Sequence, residues 1–330
     1  MAGLVARDLS RRCTVPVNAV VGYDGSPGAS TAIEAGALLF PGARGWITYL
    51  WVPPFASEKV RRRLRPMASN TNELVEMVER EGELEARRVV AMGATLARAA
   101  GWDAEPVLKR TWGPEGLRMA EEADEVQADL VLVGTRGLGG TQAVLGSVAD
   151  MVLHRCPRPV VVVPNPMLAA EYDALPKGPM VVGWDGSAGS ETALAAARRL
   201  CPDREVVLVF VGDGSAPPPA AGVGELRQLS VERGRGFHAR AVSEALVAAG
   251  QDNGAALLVV GSRGHSGARE TLRARDIAWQ RRNGHRAPLP SAGPGGAERV
   301  AGSRRLLSAD GALGPRSARW VTSGSDPAGV

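Results

Sequence analysis

The stretch GTRGLGGTQAVLGS, residues Gly134–Ser147, contains residue types that can hold an anion. It follows the apolar run ADLVLV, precedes a segment with helical spacing, and has glycine at five of its fourteen positions. Glycine lets the backbone turn with positive φ and lets a ligand approach the N–H groups, and a helix N-terminus adds unpaired donors and a favourable dipole. The pattern predicts a phosphate site, although a flexible connection would use the same glycines.

Asp24 is the second candidate, because it ends the apolar run in VVGYDGS. Its carboxylate could cap the following helix, and Ser26, directly before Pro27, could do so equally well. Alternatively, Asp24 could hydrogen-bond a nucleoside or help to hold Mg²⁺, which favours a carboxylate together with phosphate oxygens. The two roles are compatible, and both remain open at this point.

Two well-known phosphate motifs do not fit the sequence. A Walker loop needs a lysine directly after a glycine, and none of Lys59, Lys109 and Lys177 follows one. A dinucleotide fingerprint would have to open a helix directly after the first strand of a βαβ unit. The glycine-rich stretch instead follows the fourth strand-like segment.

The first half of the chain alternates short apolar runs with segments of helical period. Strands are predicted at Asn18–Tyr23, Arg44–Val52, Ala104–Thr111, Asp129–Val133 and Pro159–Val163. Helices are predicted at Pro27–Phe40, Asn72–Ala99, Pro114–Val126 and Ser147–His154. Buried strands that alternate with helices predict a parallel sheet covered on both faces, with its ligand beyond the carboxyl ends of the strands.

The pattern is repeated in part. NAVVGYDGS, from Asn18, matches PMVVGWDGS, from Pro179, and a second pair, ADLVLVGTRGLGG and AALLVVGSRGHSG, follows in the same order. This predicts a duplicated α/β domain. From Asp24 to the first glycine of its glycine-rich turn is 110 positions, whereas the corresponding span from Asp185 is 76, so 34 residues are missing. After Gly267 no closing helix and no final valine-rich strand is found.

Four segments together resemble the universal stress protein family, specifically its ATP-binding branch with tandem domains: VVGYDGS, LVLVGTRG, LGSV and HRCPRPVVVVP. The resemblance covers Asn18 to Pro164, and Pro179 to Gly267 in part. The family's loop is G-x2-G-x9-G-[S/T]. Here only eight residues separate Gly137 from Gly146, so the loop is one residue short.

The resemblance implies a five-stranded parallel, doubly wound, Rossmann-like nucleotide-binding sheet, duplicated with an incomplete second copy. It implies that ATP, with Mg²⁺, is bound with Gly22 and Asp24 on the nucleoside side and the backbone near Val52 at the adenine. The phosphate contacts that it implies are Gly134, Thr135, Arg136, Gly137, Gly140, Gly146, Ser147 and Val148. The second copy keeps Asp185 and Gly261 but lacks the Gly-Ser pair, so no intact second ATP site is expected.

Four segments are expected along the chain: an N-terminal extension (1–16), the ATP-binding domain (17–166), a partial second domain (177–267) and a tail (268–330). The tail has 11 arginines, no lysine and 5 acids, a net charge of +6, which leaves −2 for residues 1–267 of the chain's +4. Its Arg, Gly, Ala, Pro and Ser content predicts disorder, or else a shifted reading frame.

The leading functional hypothesis is a non-catalytic, nucleotide-dependent regulator of the stress response. An ATP-hydrolysing or ATP-cleaving enzyme is the alternative, but GYDGSPGAS lacks the S-G-G-x-D-S turn of pyrophosphatase-type sites. A phosphoacceptor role for Asp24 would need an acidic cluster that is missing. The expected partners are a second copy or intrachain pairing of the two halves, and an unidentified signalling protein. Neither nucleic acid nor membrane is expected, and the location is expected to be cytoplasmic.

Overall fold

A computed structural model describes residues 16–53, 56–138, 142–144, 146–212, 214, 217–218, 226–232, 238–261 and 318–322. The strands are β1 Asn18–Gly22, β2 Arg44–Trp51, β3 Asp103–Arg110, β4 Leu130–Gly134, β5 Arg136–Leu138, β6 Gln142–Val144, β7 Pro159–Val163, β8 Met180–Gly183, β9 Val206–Gly212, β10 Arg227–Glu232, β11 Leu257–Gly261 and β12 Ala318–Thr322. The helices are α1 Pro27–Leu39, α2 Glu58–Leu64, α3 Thr71–Ala99, α4 Glu115–Glu125, α5 Ser147–Arg155, α6 Ala169–Ala174, α7 Ala188–Leu200 and α8 His238–Asp252.

The first half contains the predicted five-stranded parallel sheet, in the order β3-β2-β1-β4-β7. β1 and β4 are apolar runs whose inner residues are fully buried, as expected for strands covered on both faces. Helices α1 and α3 pack on one face, and α4 and α5 pack together on the other. The α/β prediction and its strand positions are therefore confirmed for this half.

The second half repeats the strand order as β10-β9-β8-β11. The register also repeats, because the N–H of Trp184 donates to the Val209 carbonyl at 2.9 Å just as that of Tyr23 donates to the Thr48 carbonyl at 2.9 Å. Helices α7 and α8 occupy the places that α1 and α4 take in the first half. The duplication itself stays a prediction from the sequence.

The second half has no room for a counterpart of α3. Residues 52–102 connect β2 to β3, but only residues 213–226 connect β9 to β10. Strand β10 fits this loss, because Leu229 and Val231 pack towards the core on the α8 side. The alternate residues Gln228, Ser230 and Glu232 are exposed. On β10, the face that a long helix would otherwise bury therefore carries polar side chains.

The expectation of a missing last strand is wrong. Strand β12 lies between the two halves, parallel to β11 and antiparallel to β7. Its sequence, ARWVT, has the aromatic and β-branched residues that strands favour. It could not be recognised from the sequence because it is only five residues long and 56 residues separate it from β11. The other residues of the 268–330 segment, for which disorder or a frame change was predicted, lie outside the described residues.

Strand β12 completes one ten-stranded sheet, so the halves pair within the chain, as one of the two expected pairing modes requires. Side chains add to this seam. Arg199 of α7 donates from Nη1 to Asp129 Oδ1 at 2.5 Å, and Arg204 donates to the Leu38 carbonyl at 3.5 Å. Among the residues that the structure describes, no helix is long and apolar enough to cross a membrane.

The ladder positions of β12 lead to a first prediction. Val321 pairs with Val260 on one side and Val160 on the other, so Val321→Pro removes a donor from a strand that is paired on both edges. The variant should lose about 1–3 kcal/mol of unfolding free energy, measured by urea denaturation, because a ladder carbonyl loses its donor. Ser325→Pro, beyond the strand, is the control. Equal midpoints for the two variants would show that β12 does not hold the sheet together.

Candidate functional site

A cavity of about 700 Å³ opens at the carboxyl ends of β1, β2 and β4, where α1, α4 and α5 begin. Its volume is in the range of pockets that hold small-molecule ligands. The described residues that line it are Gly22, Tyr23, Asp24, Ser26, Ala29, Thr48, Tyr49, Leu50, Val52, Pro53, Glu115, Met119, Val133, Gly134, Thr135, Gly146, Val148 and Ala149.

In the turn after β1, Ser26 caps the helix and Asp24 holds the turn, a choice that the sequence left open. Ser26 is the N-cap of α1, because its Oγ accepts from the N–H of Ala29 at 3.3 Å. Asp24 Oδ1 accepts from the N–H of Ser26 at 3.0 Å and so fixes the turn, in which Gly25 has φ +79°. The exposed Asp24 carboxylate also lines the cavity, so holding the turn and facing a ligand are compatible.

Helix α3 supports this turn from behind. Gly93 lies against the Tyr23 ring, so closely that a β-carbon there would stand 2.6 Å from the ring. Val89, one turn earlier, would lie 3.3 Å from a β-carbon on Gly25. The position of the Asp24 carboxylate therefore depends on a helix that is distant in sequence.

Gly134 and Thr135 join α1 to the sheet at the cavity wall. A β-carbon on Gly134 would collide with the Gly28 carbonyl, and one on Gly28 would stand 2.5 Å from the Thr135 carbonyl oxygen. The Thr135 N–H donates to the Val163 carbonyl at 2.9 Å, and its Oγ1 accepts from the Asn165 N–H at 2.9 Å. The Thr135 hydroxyl can therefore still donate its own proton, whereas the backbone N–H of Thr135 already donates to the Val163 carbonyl.

The glycine-rich stretch forms a hairpin rather than an open loop. β5 and β6 are antiparallel, with Arg136 opposite Val144 and Gly137 opposite Ala143. Gly140 lies outside the described residues. The predicted phosphate contacts of Arg136, Gly137 and Gly140 stay predictions, since the structure gives only the backbone pairing of the first two.

Helix α5 begins at Ser147, as predicted, and its N-cap Gly146 makes no side-chain cap. The first helical hydrogen bond runs from the Asp150 N–H to the Gly146 carbonyl at 2.9 Å. The N–H groups of residues 147–149 precede that bond and so have no acceptor within the helix. Gly146, Val148 and Ala149 line the cavity, while the Ser147 side chain is exposed.

The structure brings together seven of the predicted residues on the cavity lining: Gly22, Asp24, Val52, Gly134, Thr135, Gly146 and Val148. It adds Tyr49 and Glu115, which the sequence reading missed. Tyr49 is near the end of β2 and Glu115 begins α4, after β3. Both residues lie where parallel strands end, at the edge where such sheets bind ligands, and this position could have indicated them from the sequence.

The charged side chains among the described lining residues are Asp24 and Glu115. Burial raises the pKa of the Tyr49 hydroxyl above its ordinary value of 10.0. The negative fields of Asp24, Glu85 and Glu115 raise this pKa further. The part of the cavity around Tyr49 is therefore acidic, and the start of α5 supplies hydrogen-bond donors.

A second cavity at the corresponding place in the other half has a volume of only about 50 Å³. Trp184, in the place of Tyr23, donates from its indole N–H to the Pro218 carbonyl at 3.0 Å. Asp185 Oδ1 accepts from both the N–H and the hydroxyl of Ser187. The space among the described residues is too small for a nucleotide, and the absence of an intact second ATP site stays a prediction.

These features define an α/β protein with a doubly wound parallel sheet and a crevice at the carboxyl ends of its strands. Residues 16–164 match the family model "Universal stress protein family". No curated protein matches the sequence.

Several solved structures are similar to this chain, and one of them has the same fold. A universal stress protein from Archaeoglobus fulgidus is similar at 16% identity with a TM-score of 0.54, over 78% of this chain and 94% of the other. Another from Archaeoglobus fulgidus, in complex with dAMP, has 19% identity and a TM-score of 0.29, over 44% and 96%. One from Arabidopsis thaliana with AMP bound has 15% identity and a TM-score of 0.32, over 45% and 92%.

The contact between Gly93 and Tyr23 leads to a second prediction. Gly93→Val should push the Tyr23 ring and the Asp24 turn away from α3 and cost about 1–3 kcal/mol of unfolding free energy, measured by chemical denaturation. Ala91→Val, at an exposed position of the same helix, is the control; because the helix propensity of valine is below that of alanine but above that of glycine, propensity alone would favour Gly93→Val. If the two variants are equally stable, α3 does not support the turn.

Proposed function

We propose that residues 16–164 bind an adenine nucleotide and that the protein is a non-catalytic, nucleotide-dependent regulator of the stress response. The observation that carries this proposal is the start of α5, where the N–H groups of residues 147–149 have no acceptor within the helix and Gly146, Val148 and Ala149 line a cavity of about 700 Å³. Backbone donors at a helix N-terminus bind phosphate through hydrogen bonds and the helix dipole.

The remaining lining residues suit a nucleoside. Gly22 and Asp24 lie at the end of the central strand β1, where the carboxylate can accept hydrogen bonds from ribose hydroxyls. The chain at Val52 and Pro53 leaves β2 beside the cavity, so the backbone of Val52 is offered to the edge of a base. A nucleotide would therefore extend from the β2 end of the cavity to the start of α5.

ATP with Mg²⁺ is the particular ligand that we propose. Mg²⁺ takes one or two carboxylates together with phosphate oxygens, and Asp24 and Glu115 are carboxylates on the cavity lining. The residues present thus fit the ion, which would neutralise phosphate charge when bound. Asp24 is the ligand that the sequence predicts, and Glu115 is the one that the structure adds.

The structural roles of two hydroxyl groups on the cavity lining favour a regulator over an enzyme. Ser26 is occupied as the N-cap of α1, and the Thr135 hydroxyl accepts from the Asn165 backbone. The oxygen of each hydroxyl thereby already accepts a structural hydrogen bond. Formation of ADP or AMP in proportion to added protein would instead support the ATP-cleaving alternative.

The backbone at Gly146 allows a sharp test. Its φ of −67° and ψ of 155° suit other residues, so Gly146→Asp should cap α5 and keep or slightly raise stability. The new carboxylate would occupy the phosphate position and weaken nucleotide binding by at least about tenfold, measured by calorimetry with ATP and Mg²⁺.

Gly146→Asn is the matched control, because it caps the helix without adding charge. It should bind much more tightly than the Asp variant. Absence of detectable heat from the unsubstituted chain at millimolar nucleotide would overturn the proposed function. Equal affinities for the two variants would move the phosphate away from α5.

A further inference from the structure

The first turns of α4 and α5 are in direct contact. Gly116, the second residue of α4, leaves so little space that a β-carbon there would stand 2.5 Å from Met151 Cβ and 3.0 Å from the Val148 carbonyl oxygen. Val148 belongs to the first turn of α5. Glu115, directly before Gly116, therefore lines the cavity beside the donors proposed to hold phosphate.

A negative charge at position 115 is not needed for folding. Met119 lies 3.2 Å from a β-carbon on Gly22, and in the other half Leu246 lies 3.3 Å from one on Gly183, so these two helices pack alike. Four residues before Leu246, in the place of Glu115, stands Val242, which lines the small second cavity and is buried. The half with the large cavity has the carboxylate, and the half without it has valine.

The Glu115 carboxylate is also not explained by a salt bridge. Within the described part of the chain it forms no ion pair, and it is half-buried at the cavity wall. The negative charge of Glu115 contributes to the raised pKa of the Tyr49 hydroxyl, on β2. Its charge therefore acts on whatever occupies the space between.

We propose that Glu115 is a specificity-determining residue that selects the ligand by its net phosphate charge. Without a divalent cation the site takes an adenosine monophosphate in preference to the triphosphate. With the cation, which Glu115 and Asp24 can contact, the triphosphate is accepted. This inference rests on the proposed function, because it concerns the same cavity.

The expected discrimination follows from the charges. At neutral pH, AMP carries about two negative charges and free ATP about four, since each phosphate has one strong acid group and a terminal phosphate has a second pKa near 6. Repulsion by one nearby carboxylate grows with ligand charge. Removing the Glu115 charge should strengthen binding of AMP about threefold and of free ATP about tenfold or more.

The test is calorimetry on the full chain with AMP and with ATP, first in EDTA and then with excess Mg²⁺. Glu115→Gln should raise the affinity for free ATP more than for AMP and should reduce the gain that Mg²⁺ gives to ATP binding. Glu34→Gln, exposed on α1, changes the net charge equally and should leave both ratios unchanged. Glu115→Val, which introduces the residue found at the corresponding place in the other half, serves if the glutamine variant does not fold.

The outcomes separate the two proposals. If the unsubstituted chain binds both nucleotides but Glu115→Gln changes their affinities by the same factor, selection by Glu115 is wrong and nucleotide binding stands. The same conclusion follows if Glu34→Gln has as large an effect. If the unsubstituted chain binds neither nucleotide, both proposals fall.

Discussion

The close approach of α1 to the end of β4 is the constraint on which the site depends. Gly28 and Gly134 have no side chains, and only for that reason can the helix backbone lie against the strand end. The same pair recurs as Gly189 and Gly261 in the second half. This contact places the start of α1 beside the end of β4, and the Thr135 bonds to Val163 and Asn165 then fix β7 next to it. One wall of the cavity is thereby set before any ligand is present.

The two halves share this framework and differ in what surrounds it. In the first half α3 supports the Tyr23 turn, whereas in the second half the indole of Trp184 bonds to Pro218 instead. An aromatic ring with an N–H suits that position, since a buried indole needs an acceptor. The second half has the same strand order, but its connection from β9 to β10 is too short for a counterpart of α3, and Val242 stands in the place of Glu115. Its role in this structure is to supply the other side of the ten-stranded sheet.

Local pattern was sufficient to predict the five strands of the main sheet in the first half and the helices α1, α3, α4 and α5, but not α2, β5 or β6. Valine-rich runs such as β4 and β7 are strands in any context that buries both faces, the capping signal at Ser26 placed the start of α1, and helical spacing from Ser147 placed the start of α5. Strand β12 could not be predicted in this way. Five residues become a strand there because β7 and β11 pair with both of their edges, which is a non-local effect.

The same distinction holds for the candidate site. Gly22, Asp24 and Gly146 lie in recognisable turns, so sequence alone could indicate them. Glu115 and Tyr49 join them only because the parallel sheet brings the ends of different strands to one edge. The hydrogen bond from the Thr135 N–H to the Val163 carbonyl could not be predicted from the sequence either, since it depends on the pairing of β4 with β7.

The central claim is that nucleotide phosphate binds at the start of α5, and amide NMR of the isotope-labelled full chain tests it most directly. On titration with ATP and Mg²⁺, the amide signals of Ser147, Val148 and Ala149 should show the largest shifts. Those of Gly189 and Ser190, in the first turn of α7, which takes the place of α1 in the second half, should stay in place. Shifts centred on the second half, or spread evenly over the sheet, would contradict the account.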